Sequence, residues 1–272
     1  MKFIHFTDTH LVRPGRTLYG LDLQGQLDAC IASINELHGD AEFCLVTGDL
    51  THYGEPGAYG LLKESLARLA IPYYLIVGNH DEREAFRAAF PDVPVDVNGY
   101  VQYVVESPAG RFVMLDTNIP GTHEGELGPA RLAWVRARLE EAGDEPAFLV
   151  LHHAPMATRI EAVDRLGLID AEALWEVVRD FANIRHIFFG HIHRQVHGSW
   201  RGIPFSTLRA TSWQLQLTFE ADELGGVYDD PSYAVVFVDD DAVVIHDYGY
   251  MSEDDIFEYV RLEPEDLPKL ES

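Results

Sequence analysis

The sequence has few basic residues for its length. Its 272 residues include 20 Lys and Arg against 45 Asp and Glu, so the formal net charge is −25 at pH 7. Proteins that bind the phosphate backbone of a nucleic acid need a basic surface, and a field of this sign repels polyanions at long range. The composition therefore argues against a nucleic acid polymer as the partner, whereas a small anion can still bind beside a local cation.

Cysteines and long hydrophobic runs are also scarce. Only Cys30 and Cys44 occur, both within apolar segments, which argues against a disulfide framework and favours buried thiols in a reducing compartment. No stretch approaches about 18 uninterrupted apolar residues, and the first residues lack the apolar core of a signal peptide. We therefore predict a cytoplasmic protein that does not enter a membrane.

Short apolar runs alternate with amphipathic helical stretches over most of the chain. Strands are predicted at residues 3–7, 43–47, 73–77, 112–116, 147–152 and 186–189. Apolar residues recur at helical spacing between them, at residues 27–37, 61–69, 132–139 and 174–181. This alternation predicts an α/β fold with a largely parallel sheet that helices cover on both faces.

The pattern changes after Arg201, where one strand follows another. Strands are predicted at residues 203–208, 213–219, 233–238 and 243–248, and such consecutive strands favour antiparallel pairing. The segment from Gln214 to Ser272 contains 17 acidic and two basic residues, a charge that we interpret as solvated surface rather than as a binding face. We therefore divide the chain into a core, residues 1–212, and an acidic C-terminal segment, residues 213–272.

Polar residues gather directly after the predicted strands. The strand ends are Thr7-Asp8-Thr9-His10, Gly48-Asp49-Leu50, Gly78-Asn79-His80-Asp81, His152-His153 and Gly190-His191-Ile192-His193. Taken singly, each acidic residue is explained more simply as a turn or helix cap, and each glycine as a turn glycine. Because the carboxyl ends of parallel strands share one edge, we expect these residues to meet. Six of the 13 histidines lie there, and burying them without a cation would be costly.

Carboxylate oxygens and imidazole nitrogens are ligands that suit manganese, iron, cobalt and zinc. Asp8 and His10 lie two residues apart, as do His191 and His193, and in an extended segment this spacing puts both side chains on one side. The candidate ligands are too many for one tetrahedral zinc and suit two metal ions that share a carboxylate. The strand ends therefore predict a dinuclear metal centre.

The order of the motifs, Asp-x-His, Gly-Asp, Gly-Asn-His-Asp, His and Gly-His-x-His, resembles that of the calcineurin-like metallophosphoesterases. The spacing is similar to the compact bacterial branch, which contains the class III cyclic nucleotide phosphodiesterases and the related glycerophosphodiesterases. Leu18-Tyr19-Gly20 and the segment from Tyr74 to Gly78 add to this likeness. The resemblance covers nearly the whole chain, with strong motifs up to His193 and weaker likeness beyond Arg209.

The resemblance implies a four-layer αββα sandwich, in which two mixed sheets pack back to back between helices. The C-terminal segment would complete the second sheet and contribute a cap or an oligomer contact. Two metal ions per chain, iron, manganese, zinc or cobalt, would be bound, with Asp49 between them. The first ion would have the ligands Asp8, His10, Asp49 and His193, and the second Asp49, Asn79, His152 and His191.

The resemblance also implies a hydrolase of small phosphodiesters, either 3′,5′-cyclic nucleotides or glycerophosphodiesters. Two metal ions would lower the pKa of a water molecule between them, and the resulting hydroxide would attack the phosphorus. Asp49 and Asn79 would hold the metal ions. His80 would steady the phosphate or protonate the leaving oxygen, unless it merely fixes its turn. Asp81 and His153 are expected to orient neighbouring residues rather than to bind metal.

Three further residues are predicted to contact the substrate together with Asn79 and His80. Trp213 stands where relatives tend to have a histidine near the phosphate, and it either stacks on a base or packs in the core. His123 belongs to a glycine-containing loop, residues 120–125, that should lie near the mouth of the site. Tyr19 is expected to line the same mouth.

Other functions remain open at this point. A phosphomonoesterase of the same fold is the nearest alternative, while a nuclease of the same superfamily is disfavoured by the acidic charge. A metal-free scaffold is the non-enzyme alternative, and it is disfavoured because all seven ligand positions are filled. We also expect a homodimer or higher homo-oligomer, because the strand-rich stretch at residues 213–233 offers edges for pairing.

Overall fold

The computed structural model describes residues 1–220 and 222–251, which form two mixed sheets flanked by helices. The first sheet has the strand order β13-β12-β1-β2-β3, and the second has the order β4-β5-β6-β7-β9-β8. The strands of the first sheet are β1 (Lys2–Phe6), β2 (Cys44–Thr47), β3 (Tyr73–Ile76), β12 (Ser232–Val238) and β13 (Val243–Gly249). The strands of the second are β4 (Tyr103–Ser107), β5 (Gly110–Met114), β6 (Ala147–Val150), β7 (Ile184–Phe188), β8 (Val196–Trp200) and β9 (Ile203–Thr207).

Among the residues that the structure describes, six helices follow the predicted periodicity or fill the loops between strands. They are α1 (Leu23–Leu37), α2 (Pro56–Leu66), α3 (Arg83–Ala89), α4 (Gly128–Ala142), α5 (Glu161–Asp164) and α6 (Ala171–Val178). Strands β1, β2 and β3 are parallel, as are β5, β6, β7 and β9, whereas β12 pairs antiparallel with β1. The predicted sandwich of two mixed sheets with helices is therefore confirmed. Within the described residues, no helix has both the length and the apolarity that crossing a bilayer requires.

Alternate residues of the second sheet face two different cores. Phe112 and Phe148 pack with residues of the first sheet, while their neighbours Val113 and Leu149 pack with helices α4 and α6. This period of two is what a strand covered on both faces requires. Phe3 of β1 contacts Phe112 at 5.2 Å between ring centroids, so aromatic rings join the two sheets directly.

The chain departs from the sequence predictions in several elements. Strands β4 and β8 and helices α3 and α5 were not predicted, because all four are short and border loops. The predicted strand at residues 213–219 is wrong beyond β10 (Gln214–Leu215), which pairs with the equally short β11 (Gly226–Val227). Strand β9 pairs with β7 in parallel as well as with β8 antiparallel, so the antiparallel prediction holds only in part.

The C-terminal strands occupy the first sheet. Strand β12 lies beside β1 and β13 lies beside β12, whereas the segment 213–272 was expected to complete the second sheet. One edge of that sheet is formed by the hairpin of β8 and β9, and β12 pairs instead with the edge of β1. Residues 252–272 of the predicted segment lie outside the described residues.

Candidate metal centre

In the loops that follow β1, β2 and β7, several polar residues have a positive φ angle. The described chain has eight non-glycine residues with positive φ, and five of them are predicted metal ligands. These five are Asp8, His10, Asp49, His191 and His193, with φ between 44° and 69°. Residues other than glycine rarely adopt this region because it strains the backbone, and the strain persists where surrounding contacts enforce the conformation. Here backbone bonds do so, for example from the Asp8 amide to the Gly48 carbonyl (3.1 Å) and from His10 to Asp49 (2.9 Å).

The glycines at the strand ends are required by close packing of these loops. A Cβ atom on Gly78 would lie 2.2 Å from the Asp49 Oδ1 atom. One on Gly190 would lie 2.2 Å from the Thr7 Oγ1 atom, and one on Gly48 would lie 2.6 Å from His152 Nδ1. The interpretation as turn glycines is therefore incomplete, because any side chain here would displace site residues.

A first group of donor atoms comes from four buried residues. His10 Nε2 lies 3.0 Å from His193 Nε2 and 3.4 Å from Asp49 Oδ2. Asp8 Oδ1 lies 3.3 Å from His193 Nε2. One ligand atom of each residue falls within 4.8 Å of the others, a spacing that a single metal ion can bridge. These are the four residues predicted for the first metal.

A second group lies on the other side of Asp49. Asn79 Oδ1 is 3.1 Å from His152 Nε2 and 3.0 Å from His191 Nδ1. Asp49 Oδ1 lies 3.4 Å from His152 Nε2, while the Oδ2 atom of the same carboxylate faces His10. The two oxygens of Asp49 thus point into two different donor groups, which is the arrangement expected of a shared ligand.

Hydrogen bonds outside the two groups fix which nitrogen of each ring is free. His152 Nδ1 donates to the Thr47 carbonyl (2.7 Å), and His193 Nδ1 donates to the Trp213 carbonyl (2.7 Å). A carbonyl only accepts, so Nδ1 carries a proton in both rings and Nε2 is the nitrogen that faces the donor group. The buried Nε2 of His191 has no hydrogen-bond partner among the described residues. This combination of nitrogen and oxygen donors fits two first-row metal ions.

The charges of the site favour an ionised Asp49 and a neutral His191. Burial alone would raise the pKa of Asp49, but attraction to His152, His80 and His10 holds it well below its ordinary value. Burial would lower the pKa of His152, yet Asp49 raises it to about 9. Burial and repulsion from His152 lower the pKa of His191 to about 3, so this ring is neutral with a free lone pair. The carboxylates are therefore ionised near neutral pH.

His80 and Asp81 follow Asn79 and have separate tasks. His80 donates from Nδ1 to the His52 carbonyl (2.9 Å), and its amide donates to Asp49 Oδ1 (2.8 Å). The Asp81 carboxylate accepts from the amides of Leu50 (3.0 Å) and Gly78 (2.9 Å) and so ties two strand-end loops together. Burial and repulsion from Asp49 raise the pKa of Asp81 to about 6.

His153 and His152 are adjacent in sequence, but their rings have different partners. His153 Nε2 donates to the His123 carbonyl (3.2 Å), and its Nδ1 accepts from the Thr117 hydroxyl (2.7 Å). Both ring nitrogens are thus occupied, although the ring also lies within metal-bridging distance of His152 and His191. The contacts place His153 beside the second donor group and leave it no free nitrogen.

His52 is a site residue that the sequence interpretation missed. Its ring stacks on His80 with centroids 4.6 Å apart, and its Nδ1 lies 3.1 Å from His10 Nδ1. Burial, with repulsion from His80, lowers the pKa of His52 to about 4. His52 follows Asp49 by three residues, so its position in the same strand-end turn was the available signal.

A cavity of about 320 Å³ opens over the two donor groups. Its lining includes all five residues predicted to contact the substrate, namely Tyr19, Asn79, His80, His123 and Trp213. His123 Nδ1 lies 3.1 Å from Asn79 Nδ2, and the half-buried Trp213 ring lies 4.3 Å from the His193 ring. A larger cavity of about 650 Å³ around Met156 and Arg201 contains none of the predicted ligands. Chemistry rather than size therefore marks the smaller cavity as the candidate site.

Comparison with characterised sequences gives a consistent result. A probable cyclic nucleotide phosphodiesterase of Rhodopseudomonas palustris is 42% identical over 261 residues, which are 94% of this chain and 95% of that protein. A probable glycerophosphodiester phosphodiesterase of Arcobacter nitrofigilis is 31% identical over 225 residues, 82% of each chain. A dual-specificity cAMP and cGMP phosphodiesterase of Mycobacterium tuberculosis is 31% identical and covers 80% of this chain and 70% of that protein.

Comparison with solved structures supports the fold. A dimetal phosphatase from Danio rerio aligns with a TM-score of 0.71 over 92% of this chain and 96% of that one, at 14% identity. The family model described as calcineurin-like phosphoesterase matches residues 1–195, which contain all five strand-end motifs. The chain belongs to the calcineurin-like phosphoesterase family.

Proposed function

We propose that this protein is a metal-dependent hydrolase of small phosphodiesters. The observation that carries the proposal is the Asp49 carboxylate, whose Oδ2 and Oδ1 atoms face two separate donor groups at 3.4 Å each. The first metal ion would be held by Asp8, His10, Asp49 and His193, and the second by Asp49, Asn79, His152 and His191. Iron, manganese, zinc and cobalt all suit these donors.

The preference for diesters is supported by the relatives. The proteins of R. palustris, A. nitrofigilis and M. tuberculosis are all named as phosphodiesterases, of cyclic nucleotides or of glycerophosphodiesters. The cavity also continues past the donor groups toward Tyr19 and Trp213, which gives room to a second ester substituent. We therefore propose 3′,5′-cyclic nucleotides and glycerophosphodiesters as the candidate substrates.

The chain's own residues divide the remaining work. When bound, two metal ions lower the pKa of water and offset charge on the phosphoryl oxygens. His80 lines the cavity and is oriented by its Nδ1 bond to the His52 carbonyl, so its Nε2 is directed away from that bond. From this position His80 donates a proton to the leaving oxygen, while His123 and Asn79 position the phosphate.

A hydrolysis panel tests the proposal. Protein loaded separately with manganese, cobalt, zinc or iron is assayed on 3′,5′-cyclic AMP, a glycerophosphodiester and matched phosphomonoesters. We expect turnover of at least one diester, with kcat/KM above that of the matched monoester. Turnover of monoesters alone would make the protein a phosphomonoesterase, and no turnover with bound metal would support a scaffold.

Asp49→Asn tests the shared ligand at nearly constant shape. We expect kcat/KM to fall at least about 1,000-fold, because several kcal/mol of metal catalysis depend on both ions. Elemental analysis should show two metal ions in the wild type and fewer in the variant. Activity within about tenfold of the wild type would show that Asp49 does not bridge. The cytoplasmic location and the homodimer or higher homo-oligomer stay predictions.

A further inference from the structure

A second cavity of about 320 Å³ adjoins the one over the donor groups. The two cavities share Tyr19, Trp213, Leu215 and Leu224, and the second continues to Val227 and Tyr228. We call this second space the aromatic cavity, lined by Tyr19, Trp213, Leu215, Leu224, Val227 and Tyr228. A phosphodiester held at the donor groups therefore has one continuous path for an ester substituent.

The aromatic rings lie close to the predicted metal ligands. The Trp213 ring is 4.3 Å from the His193 ring and 6.1 Å from the His10 ring. Tyr19 meets Trp213 edge to face, with centroids 5.6 Å apart at 83°. A group attached to a phosphate at His10 and His193 would thus reach these rings directly.

Tyr19 is held in place without being buried. It is 56% exposed, and its φ of 53° lies in the left-handed region that side chains rarely adopt. The Tyr228 hydroxyl donates to the Tyr19 carbonyl (2.8 Å), so a second aromatic residue fixes the backbone of the first. A strained, exposed aromatic ring fixed at the mouth of a site is typical of ligand recognition rather than of core packing.

The lining of the aromatic cavity selects the kind of substituent. No charged side chain is among its lining residues. Its polar side-chain groups are the two tyrosine hydroxyls and the buried indole nitrogen, and the backbone of Gly225 and Gly226 completes the lining. A glycerol moiety would bring hydroxyl groups to apolar walls without enough partners, which disfavours binding. A planar, uncharged heteroaromatic ring instead stacks on such walls.

We propose that the aromatic cavity binds the nucleobase of nucleotide phosphodiesters. The enzyme then prefers nucleotide diesters to glycerophosphodiesters. This inference rests on the proposed diester hydrolysis for its kinetic consequence, but base binding itself is measured separately.

Tyr19→Asn is the principal variant, because asparagine adopts the left-handed backbone readily and keeps the loop while removing the ring. Trp213→Leu is a second variant that keeps an apolar wall. Phe219→Asn is the matched control, since Phe219 is 67% exposed and does not line either cavity. The manganese-loaded proteins are assayed on 3′,5′-cyclic AMP and glycerophosphoethanolamine, and the ratio of the two kcat/KM values is compared.

We expect a wild-type ratio above about ten, and a ratio lowered about tenfold by Tyr19→Asn, as loss of a stacked base predicts. Phe219→Asn should leave the ratio unchanged. Calorimetry provides the second readout with 5′-AMP and ribose 5-phosphate, which carry the same phosphate and sugar and differ in the base. The wild type should bind 5′-AMP more tightly, and Tyr19→Asn should remove most of that difference.

The outcomes separate this inference from the proposed function. A ratio that Tyr19→Asn and Trp213→Leu leave unchanged would overturn the base-binding cavity while diester hydrolysis stands. Base-dependent binding without turnover of either diester would support the cavity and reject the proposed hydrolysis. A variant that dissociates an oligomer without changing the ratio would assign this aromatic surface to a second copy of the chain and overturn the inference.

Discussion

His52 shows how a residue outside the strand-end motifs supports the metal centre. A nitrogen that binds metal must keep its lone pair, so the proposed role of His10 Nε2 as a ligand requires the proton of this ring to lie on Nδ1. That proton is donated to His52 Nδ1, 3.1 Å away, because the ring of His52 is neutral. Such outer partners orient a ligand and raise its basicity.

His52→Phe tests this contact, since phenylalanine keeps a ring against His80 but removes the acceptor nitrogen. We expect affinity for the first metal to fall about 10- to 100-fold, the usual effect of losing an outer partner. Competition with a chelator measures the affinity. Tyr53→Phe is the control variant, because Tyr53 is the exposed neighbour of His52. Unchanged affinity in His52→Phe would show that His10 does not depend on this bond.

At the residue scale, the sequence predicted which polar residues meet better than it predicted the contacts around them. Asp8, Asp49 and His193 converge as expected because strand ends share an edge, a consequence of topology that spacing reveals. The contacts of His52 and His153 depend on ring orientation within turns, which no periodicity encodes. Whether Trp213 stacks or packs was left open, and its half-buried ring lines the cavity while also touching both cores.

The turns after the strands position the ligands as units. Gly78 follows β3 closely, and its Cα lies so near Asp49 that a Cβ would be 2.2 Å from Oδ1 and 2.8 Å from the His152 ring. Gly78→Ala should therefore displace the shared carboxylate and lower kcat/KM at least about 100-fold, the cost of misplacing reacting groups by about 1 Å. Metal content should fall with it.

Gly60→Ala is the matched control for this substitution. Gly60 lies in α2, where a Cβ would meet nothing within 4 Å. Alanine there should raise the free energy of unfolding by about 0.5–1 kcal/mol and leave kcat/KM unchanged. Equal losses of activity in the two variants would refute the steric explanation for Gly78.

Strand β7 contains a buried histidine that makes the fold sensitive to acid. Burial lowers the pKa of His186 from 6.5 to about 3, and its Nε2 is bonded to the Ser206 hydroxyl at 2.9 Å. The unfolded chain takes up a proton below about pH 6.5, whereas the folded ring does so only near pH 3. The free energy of unfolding therefore decreases as pH falls from 6.5 toward 3. Above pH 6.5 the contribution of His186 no longer changes with pH.

His186→Phe should remove this part of the pH dependence. Between pH 4 and 6, the slope of unfolding free energy against pH should decrease by about 1.4 kcal/mol per pH unit, one proton's share. Denaturant titrations at several pH values measure it. Ser206→Ala is the control, since it keeps the titrating ring and should retain the wild-type slope. Equal slopes in the wild type and His186→Phe would show that His186 is not the source of this pH dependence.

At the scale of elements, long periodic stretches were predicted well and short ones were not. Helices α1, α2, α4 and α6 lie where apolar spacing predicted them, because each buries a stripe against a sheet. Strand β10 ends after Leu215 because its strand partner, β11, is equally short, and pairing partners are not visible in a local pattern. For the same reason, the sheet that β12 and β13 join was not predictable from their sequences.

The whole molecule carries a net charge of −25, which acts on any anionic substrate before it reaches the donor groups. A phosphomonoester near neutral pH has nearly two negative charges, whereas a phosphodiester has one. Bound metal ions reverse the field locally but leave the approach through the acidic surface unchanged. The singly charged diester therefore meets the smaller electrostatic barrier.

This difference predicts how selectivity responds to salt. For matched nitrophenyl substrates, kcat/KM should be higher for the diester at low ionic strength, and the ratio should narrow as salt screens the surface charge. The Debye length falls from about 30 Å at 0.01 M to about 3 Å at 1 M, so this range covers both regimes. Light scattering at each salt concentration checks that association of the chain does not change. A ratio constant across the series would assign the diester preference to contacts within the cavity, and a monoester preferred throughout would favour the phosphomonoesterase.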